Sequence, residues 1–288
     1  QAHHYRTVDV SKLNMSATGP FVDLPPGSLR ILQVTDTHLY GDPGGCLLGL
    51  NTLSSLDQVL ALARWSLGEI DIILATGDLV HDASPRGYAR LQNRLAAFGI
   101  PVYCIPGNHD LSARMAQHLA GHGVPLVPST VHGDWLLVFL DSTIPEEDGG
   151  HLSAEELGRL KTALDSHPDK HALICLHHHP LPTGSAWMDE MAVDNADELL
   201  ALVHSHPRVQ GILWGHIHQH FERCLNGSWF LGSPSTCIQF TPGAPDFGLS
   251  YEPPGYRWLA LLPNGEIRTG LHRLAALPEG LDMSSGGY

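Results

Sequence analysis

Five short clusters of aspartate, histidine and asparagine have the side-chain types that hold metal ions. They contain carboxylate and amide oxygens and imidazole nitrogens but no thiolate, a set that suits Mn²⁺, Fe, Zn²⁺ or Mg²⁺ better than soft metals. A single histidine or Gly-Asp pair is an ordinary surface or turn feature, whereas five clusters together predict a metal site with several ligands. The clusters are Asp36-Thr37-His38, Gly77-Asp78, Gly107-Asn108-His109-Asp110, His177-His178-His179 and Gly215-His216-Ile217-His218.

Two of the clusters place candidate ligands two residues apart. On an extended backbone alternate side chains share one face, so Asp36 with His38, and His216 with His218, would each form a pincer on a metal ion. The glycines at positions 77, 107 and 215 would allow sharp turns or a close backbone approach that a Cβ would obstruct. The spacing therefore supports the same interpretation as the residue types.

Each cluster follows a short apolar run that we interpret as a β-strand, and helical patterns alternate with the strands. This alternation predicts β-α-β units with right-handed crossovers and a sheet buried by helices. Because loops at the C-terminal ends of parallel strands open on a common crevice, clusters distant in sequence can meet there. The expected strands are Leu29–Thr35, Ile70–Thr76, Val102–Ile105, Trp135–Leu140, Ala172–Leu176 and Val209–Trp214. The expected helices are Thr52–Leu67, Pro85–Phe98, Leu111–Ala120, one with a capping box at Ser153 and Glu156, and one near Asn195–His204. After Gly215, Asn226-Gly227 and Asn264-Gly265 predict hairpins.

The charge balance argues against nucleic acid as a partner. The 288 residues include 30 Asp and Glu but only 16 Lys and Arg, a formal charge of −14, which repels phosphate backbones on average. No apolar run is long enough for a membrane span, and no signal-peptide pattern opens the chain. The five cysteines are odd in number and form no C-x-x-C pair, which favours a reducing cytoplasm.

We expect one catalytic domain with two short flanking segments. Residues 1–26 lack periodicity and are interpreted as a disordered or vector-derived leader, residues 27–274 as a single catalytic domain, and residues 275–288 as a C-terminal tail.

The order D-x-H, G-D, G-N-H-D, H and G-H-x-H, over about Leu29 to His220, resembles the calcineurin-like metallophosphoesterases. Further segments are similar to the bacterial class III 3′,5′-cyclic AMP phosphodiesterases. The resemblance implies a four-layer α/β/β/α sandwich with a dinuclear metal site at the C-terminal ends of the strands, and hydrolysis of 3′,5′-cyclic AMP to 5′-AMP. The further segments are Leu176–Pro182, Trp187–Asp189, Gly215–Gln219, Pro234–Cys237, Gly255–Trp258 and Leu271–Leu274.

The resemblance also implies a ligand set for two divalent metal ions, with iron and manganese expected and magnesium, zinc and cobalt as alternatives. Two carboxylates offset only about half of the charge of two divalent ions, so the centre would attract an anionic phosphodiester even in an acidic protein. The implied ligands are Asp36, His38, Asp78 and His218 for one ion, and Asp78, Asn108, His177 and His216 for the other, with Asp78 as the bridge.

Asn108 and His109 are the expected catalytic residues. A hydroxide shared by the two ions would attack phosphorus, Asn108 would stabilise charge on the phosphate oxygens, and His109 would donate a hydrogen bond or a proton. Asp110 either orients His109 or caps the following helix, and we favour the cap. The residues expected to bind substrate are His38, Asn108, His109 and His218, with His81 and His178 as further candidates. His178 and His179 are expected to surround the ligands or to line the pocket, and for His179 a surface position stays open as the alternative.

The residues that would bind the adenine base are the least defined. Trp187 and Met188 could stack on it, and the loop from Tyr40 to Gly49 could close the other side; packing within a loop rich in glycine and proline explains these residues equally well.

Two alternatives stay open. The same machinery could act on another phosphate diester or monoester, such as a glycerophosphodiester, or the chain could be a non-catalytic scaffold. The expected partner is a small cyclic nucleotide, with neither nucleic acid nor membrane, and a homodimer is allowed.

Overall fold

The computed structural model of the protein describes residues 19–120, 124 and 126–288. Most of the predicted leader, residues 1–18, lies outside this part of the chain. The strands within it are β1 (Leu29–Val34), β2 (Cys46–Leu47), β3 (Leu50–Asn51), β4 (Ile72–Thr76), β5 (Val102–Ile105), β6 (Ser129–His132), β7 (Trp135–Phe139), β8 (His171–Cys175), β9 (Val209–Trp214), β10 (Phe221–Leu225), β11 (Ser228–Gly232), β12 (Gly255–Leu261) and β13 (Ile267–Arg273). The helices are α1 (Thr52–Leu67), α2 (Pro85–Ala96), α3 (Ser112–His118), α4 (Ala154–Ser166), α5 (Ala186–Asp189) and α6 (Ala196–Ser205).

Two large sheets carry the fold. The first has the order β13-β12-β1-β4-β5 and the second β10-β11-β9-β8-β7-β6, while β2 and β3 form a separate short ribbon. Strands β1, β4 and β5 run parallel, as do β7, β8, β9 and β11. The predicted alternation of strands and helices is therefore confirmed in both halves.

Three hydrophobic clusters show that the sheets stack into four layers. The first cluster joins α1, α2 and α3 to the outer face of the first sheet, the second lies between the sheets, and the third joins the second sheet to α4 and α6. Strand β1 shows how the sequence supports this, since Ile31 faces the other sheet and Leu32 faces the helices. Each such buried side chain contributes roughly 1.5–3 kcal/mol of transfer free energy. The predicted α/β/β/α sandwich is confirmed.

The ends of the elements show which local signals the structure uses. The Ser153 hydroxyl accepts a hydrogen bond from the Glu156 N–H at the start of α4. The predicted capping box is nevertheless incomplete, because the Glu156 carboxylate accepts from the Asp141 N–H instead of returning to Ser153. The predicted hairpin between β10 and β11 is confirmed, with positive φ at Asn226 and Gly227 as a type I′ turn requires.

Helix lengths match the predictions within a few residues. α1 has the predicted bounds, whereas α2 and α3 are shorter than predicted, because fraying helix ends leave little sequence signal. None of the helices in the described ranges is long and apolar enough to cross a membrane.

Candidate metal centre

The loops that follow the strands of both sheets meet at one edge of the sandwich. The Asp36 N–H donates to the Gly77 carbonyl at 3.0 Å, and the His38 N–H donates to the Asp78 carbonyl at 2.9 Å, so the loops after β1 and β4 lie side by side. The His216 N–H, after β9 of the other sheet, donates to the Asp36 carboxylate at 3.0 Å. Hydrogen bonds from backbone N–H groups thus hold candidate ligands of the two sheets next to one another.

The loops after β5 and β8 are held at the same edge of the sandwich. The His109 N–H, after β5, donates to Asp78 Oδ1 at 2.9 Å, and His177, after β8, bonds to the Thr76 carbonyl through Nδ1. All five predicted clusters therefore come together, as the strand-end argument predicts.

The ligand atoms of these clusters lie within metal-binding reach of one another. His218 Nε2 is 3.2 Å from Asp36 Oδ1, and His177 Nε2 is 3.4 Å from Asp78 Oδ2. His38 Nε2 is 3.7 Å from Asp78 Oδ2, which brings Asp78 between the two sides of the centre. Four groups of ligand atoms in the described ranges, each within 4.8 Å, could hold a metal ion: Asp36 with His38 and His218, Asp36 with Asp78 and His177, His177 with His178 and His216, and His38 with His81 and His109.

Several buried polar atoms at this edge have no hydrogen-bond partner. They include Asn108 Oδ1, His177 Nε2 and His216 Nε2, which are the atoms predicted to bind the second metal ion together with Asp78. An unpaired buried polar atom costs about 1–3 kcal/mol, so three of them at one place indicate a missing ligand. A divalent cation satisfies all three at once, and the residues therefore fit the metal centre that the sequence predicts.

The opposite nitrogens of these imidazoles are held by backbone carbonyls. His177 Nδ1–H donates to the Thr76 carbonyl at 2.8 Å, and His218 Nδ1–H donates to the Ile238 carbonyl at 2.8 Å. A carbonyl only accepts, so in its neutral form each ring carries its proton on Nδ1 and presents the Nε2 lone pair to the centre. The fold thus selects the tautomer that binds metal.

The backbone at the ligands is strained. All five residues of the D-x-H, G-D and G-H-x-H motifs that carry a ligand have positive φ: Asp36 (53°), His38 (43°), Asp78 (49°), His216 (65°) and His218 (45°). The prediction of pincers on an extended backbone is therefore wrong, because left-handed turns rather than strand alternation direct these side chains inward. Such conformations cost of order 1–3 kcal/mol each and are retained where function requires them.

Two of the motif glycines are required by close packing. A Cβ on Gly107 would collide with the backbone and carboxylate of Asp78, and a Cβ on Gly215 would lie 2.6 Å from Asp36 Oδ2. Both glycines let two strand-end loops approach within the centre, as predicted.

At the centre the pKa of Asp78 is lowered and the pKa of His177 is raised. Burial raises the pKa of Asp78, but His177 and the other histidines more than offset this and hold it well below its usual value. Burial lowers the pKa of His177, yet Asp78 and Asp36 raise it to about 9. His38 and His216 have their pKa lowered, chiefly by burial. An ionised carboxylate and neutral imidazoles are the metal-binding forms, so a metal ion displaces the proton of His177 on binding.

A cavity of about 250 Å³ opens onto the centre. We call the four lining residues that belong to the predicted clusters, Asp78, Asn108, His109 and His216, the floor. Three aromatic rings, Trp187, Phe240 and Phe247, also line the cavity, and we call them the aromatic wall. The remaining lining residues are Asp148, Met188, Met191, Gly287 and Tyr288.

The aromatic wall is a mutually packed cluster. The Trp187 ring lies edge-on to Phe240, with centroids 5.0 Å apart, and to Phe247, with centroids 5.3 Å apart. Trp187 and Met188, for which the sequence suggested stacking on the base, both line the cavity. The loop from Tyr40 to Gly49 is not among the lining residues; Tyr40 packs against His81 instead.

His81 and His178 lie behind the floor. The His81 ring stacks on His109 with centroids 4.6 Å apart, and its Nδ1 is 3.1 Å from His38 Nδ1. Burial and neighbouring His109 lower the pKa of His81 to about 4, so this ring is neutral. His178 bonds Ser142 through Nδ1 and keeps a buried, unpaired Nε2. Neither lines the cavity, and their contact with substrate stays a prediction.

The prediction about Asp110 is wrong. Asp110 neither orients His109 nor caps α3, whose N-cap is Leu111 without a side-chain bond. Its buried carboxylate instead accepts from three backbone N–H groups and one hydroxyl, those of Leu79, Val80, Gly107 and Tyr88. A buried carboxylate is stabilised by such donors.

His179 is fully buried, which agrees with a position around the ligands and excludes the surface alternative. Its Nε2 lies 3.3 Å from Asp189 Oδ1.

Three aromatic lining residues escaped the sequence reasoning: Phe240, Phe247 and Tyr288. The two phenylalanines lie in an irregular stretch rich in glycine and proline, where no periodicity marks a residue as inward. Tyr288 lies in the segment interpreted as a tail. No local signal distinguishes such residues from ordinary loop aromatics.

Comparisons with known proteins agree with this geometry. The family described as calcineurin-like phosphoesterase matches residues 29–220. A curated relative from Pseudomonas aeruginosa, named 3′,5′-cyclic adenosine monophosphate phosphodiesterase CpdA, is 39% identical over 91% of this chain and 96% of its own. A relative of the same name from Escherichia coli K12 is 40% identical over 90% of this chain and 95% of its own.

A solved structure shares the fold. The dimetal phosphatase from Danio rerio aligns with a TM-score of 0.60 over 84% of this chain and 98% of its own, at 15% identity. At that identity the likeness shows the fold alone.

Proposed function

Because the chain belongs to the calcineurin-like phosphoesterase family, we propose that it is a metal-dependent phosphodiesterase that hydrolyses 3′,5′-cyclic AMP to 5′-AMP. The observation that carries the proposal is the set of buried, unpaired ligand atoms of Asn108, His177 and His216 next to a cavity with an aromatic wall. The floor suits a phosphodiester, and the wall suits a flat base. The relatives named as cyclic AMP phosphodiesterases, which match about nine-tenths of the chain, support the same substrate.

The ligand groups define how two ions would be held. Asp36, His38 and His218 would hold one ion, Asn108, His177 and His216 the other, and Asp78 both. Two divalent ions would supply positive charge to the phosphodiester and lower the pKa of water, so that hydroxide is available at neutral pH. Oxygen and nitrogen ligands without thiolate support iron or manganese, and metal analysis of the purified protein tests that identity.

Asn108 and His109 act on the substrate itself. Asn108 lines the cavity, so its amide N–H groups can donate to a phosphate oxygen while its unpaired Oδ1 would bind a metal ion. His109 is held by its backbone bond to Asp78 and by the stacked His81 ring. In this proposal its imidazole donates a proton to the ribose 3′-oxygen as that oxygen leaves phosphorus, a contribution of about 10²–10⁴-fold.

The aromatic wall favours a nucleotide over a glycerophosphodiester, since glycerol offers no ring to stack. The test is a panel of cyclic AMP, glycerophosphoethanolamine and a simple monoester with protein loaded with Mn²⁺. We expect the highest kcat/KM on cyclic AMP, with 5′-AMP as the product. A higher kcat/KM on the glycerophosphodiester, or full cyclic AMP turnover by His109→Ala, would contradict the proposal.

A cytoplasmic location and a homodimer stay predictions. The five cysteines, odd in number and without a C-x-x-C pair, support the first. Light scattering on the metal-loaded protein tests the second directly.

A further inference from the structure

The ring of Tyr288 lies between the histidines of the floor and the aromatic wall. Its centroid is 5.8 Å from that of His109 with the planes 28° apart, and 6.3 Å from that of Phe240 with the planes 23° apart. It also approaches Phe247 at 6.1 Å. One side chain from the end of the described chain therefore contacts both parts of the site.

The segment that carries Tyr288 is docked on the domain. The Asp282 N–H donates to the Leu48 carbonyl at 2.8 Å, and Gly49 approaches Gly280 so closely that a Cβ on Gly49 would collide with the Gly280 carbonyl. Leu281 and Met283 pack against the core cluster of the second sheet. The loop from Tyr40 to Gly49 thus acts on the site indirectly, by anchoring this segment.

Tyr288 borders the cavity and does not fill it. The cavity that Tyr288 helps to line has a volume of about 250 Å³, slightly below the ~300–1,000 Å³ of typical small-molecule pockets. Tyr288 keeps 47% of its surface exposed. A compact ligand in this cavity would therefore contact the Tyr288 ring.

We propose that Tyr288 is a substrate-contacting residue that packs its ring against the nucleoside and so favours cyclic nucleotides over smaller diesters. This inference rests on the proposed function and names a determinant of its selectivity. Aromatic stacking tolerates every base because each has a π-face. Tyr288 therefore selects for a nucleoside and does not distinguish adenine from guanine.

The electrostatics of Tyr288 are compatible with an anionic substrate. Desolvation of its hydroxyl and the nearby Asp78 carboxylate raise the pKa of Tyr288 well above its usual value. The ring consequently stays neutral and adds no negative charge next to a phosphodiester.

The test compares the wild-type chain with Tyr288→Ala and Tyr288→Phe at equal Mn²⁺ content. We expect Tyr288→Ala to raise KM for cyclic AMP about tenfold, within the range measured for loss of one base-stacking ring, with kcat changed less than about threefold. Calorimetry should show a similar loss of affinity for 5′-AMP. Tyr288→Phe keeps the ring and should keep the wild-type KM.

Methyl p-nitrophenyl phosphate, a diester without a nucleoside, reports on the floor alone, and its kcat/KM should not change in either variant. Tyr251→Ala is the matched control, because it removes an aromatic side chain that is 77% exposed, and it should affect neither substrate. The inference is overturned by an unchanged KM for cyclic AMP in Tyr288→Ala, by an equal loss on both diesters, by a rise in kcat/KM, or by a Tyr288→Phe variant as weak as Tyr288→Ala.

Failure of the proposed function looks different from failure of this inference. A wild-type protein that hydrolyses methyl p-nitrophenyl phosphate but not cyclic AMP overturns both. A wild-type protein that hydrolyses both, with Tyr288→Ala indistinguishable from it, overturns only the role of Tyr288.

Discussion

The floor and the aromatic wall of the cavity are built in opposite ways. Floor residues follow buried strands; Asp78 and His216 have positive φ, and the His109 N–H is held by a hydrogen bond to Asp78. The wall comes from the short helix α5 and the irregular stretch between β11 and β12, and its rings contact one another edge-on at 5.0–5.4 Å without hydrogen bonds between them. Under the proposed function, the floor contacts the phosphodiester, which every substrate shares, and the wall contacts the group attached to it.

The largest effect should come from removing the shared ligand of the floor. Asp78→Ala leaves both metal positions incomplete and removes several kcal/mol of charge stabilisation, so kcat/KM should fall by at least about 10³-fold on every diester. Steady-state kinetics on cyclic AMP and methyl p-nitrophenyl phosphate measure this. Asp134→Asn, at an exposed turn, is the control and should be silent. A loss confined to cyclic AMP would break the division between floor and wall.

His109→Ala should lower turnover without lowering metal content. His109 is not among the implied ligands, so metal content should stay at the wild-type value while kcat falls about 10²–10³-fold, as for loss of a general acid. Elemental analysis and kinetics on the same preparation check both halves. If the variant lost its metal, His109 would be a ligand and the assignment would need revision.

The support beneath the floor should be sensitive to Asp110. Asp110→Ala leaves three backbone N–H groups and the Tyr88 hydroxyl without their acceptor, so the free energy of unfolding should fall by about 3 kcal/mol or more. Urea denaturation of the metal-free protein measures it. Asp110→Asn retains one acceptor oxygen and should lose less; equal losses for the two variants would argue that packing, not the hydrogen bonds, holds this residue.

The smallest effect should come from the wall. Phe247→Ala removes one ring of the cluster and should raise KM for cyclic AMP about fivefold, at the lower end for a stacking contact, with kcat unchanged. The matched variant Phe247→Leu keeps part of the apolar surface, and its KM for cyclic AMP should lie between those of the wild type and of Phe247→Ala. A fall in turnover of methyl p-nitrophenyl phosphate would show that the wall also supports the floor.

Sequence patterns point to the candidate metal ligands, because few residue types bind these metals and each candidate comes soon after a strand with a clear apolar run. Asp36, Asp78 and His177 are examples, and their strands and the four layers follow from the same alternation. The patterns do not predict backbone conformation at the ligands, since Asp36 and His38 adopt left-handed φ only because neighbouring loops impose it.

The wall and the supporting residues depend on contacts between distant parts of the chain. Phe240 and Tyr288 are ordinary loop aromatics until the tertiary fold brings them to the cavity. Asp110 directly precedes the N-cap of a helix and has the residue type of a cap, yet the buried loop after β4 supplies its donors. Contacts between residues distant in sequence determine the roles of these residues, and no local spacing in the sequence predicts those contacts.

The central claim is that the implied ligands hold two metal ions that cyclic AMP hydrolysis requires, and metal titration tests it most directly. Protein stripped by chelation is titrated with Mn²⁺ while bound metal and cyclic AMP turnover are followed in the same samples. The account predicts that activity rises from background to its maximum as occupancy approaches about two ions per chain, and that the Asn108→Ala variant binds about one ion fewer. Full cyclic AMP turnover by the stripped protein would contradict it.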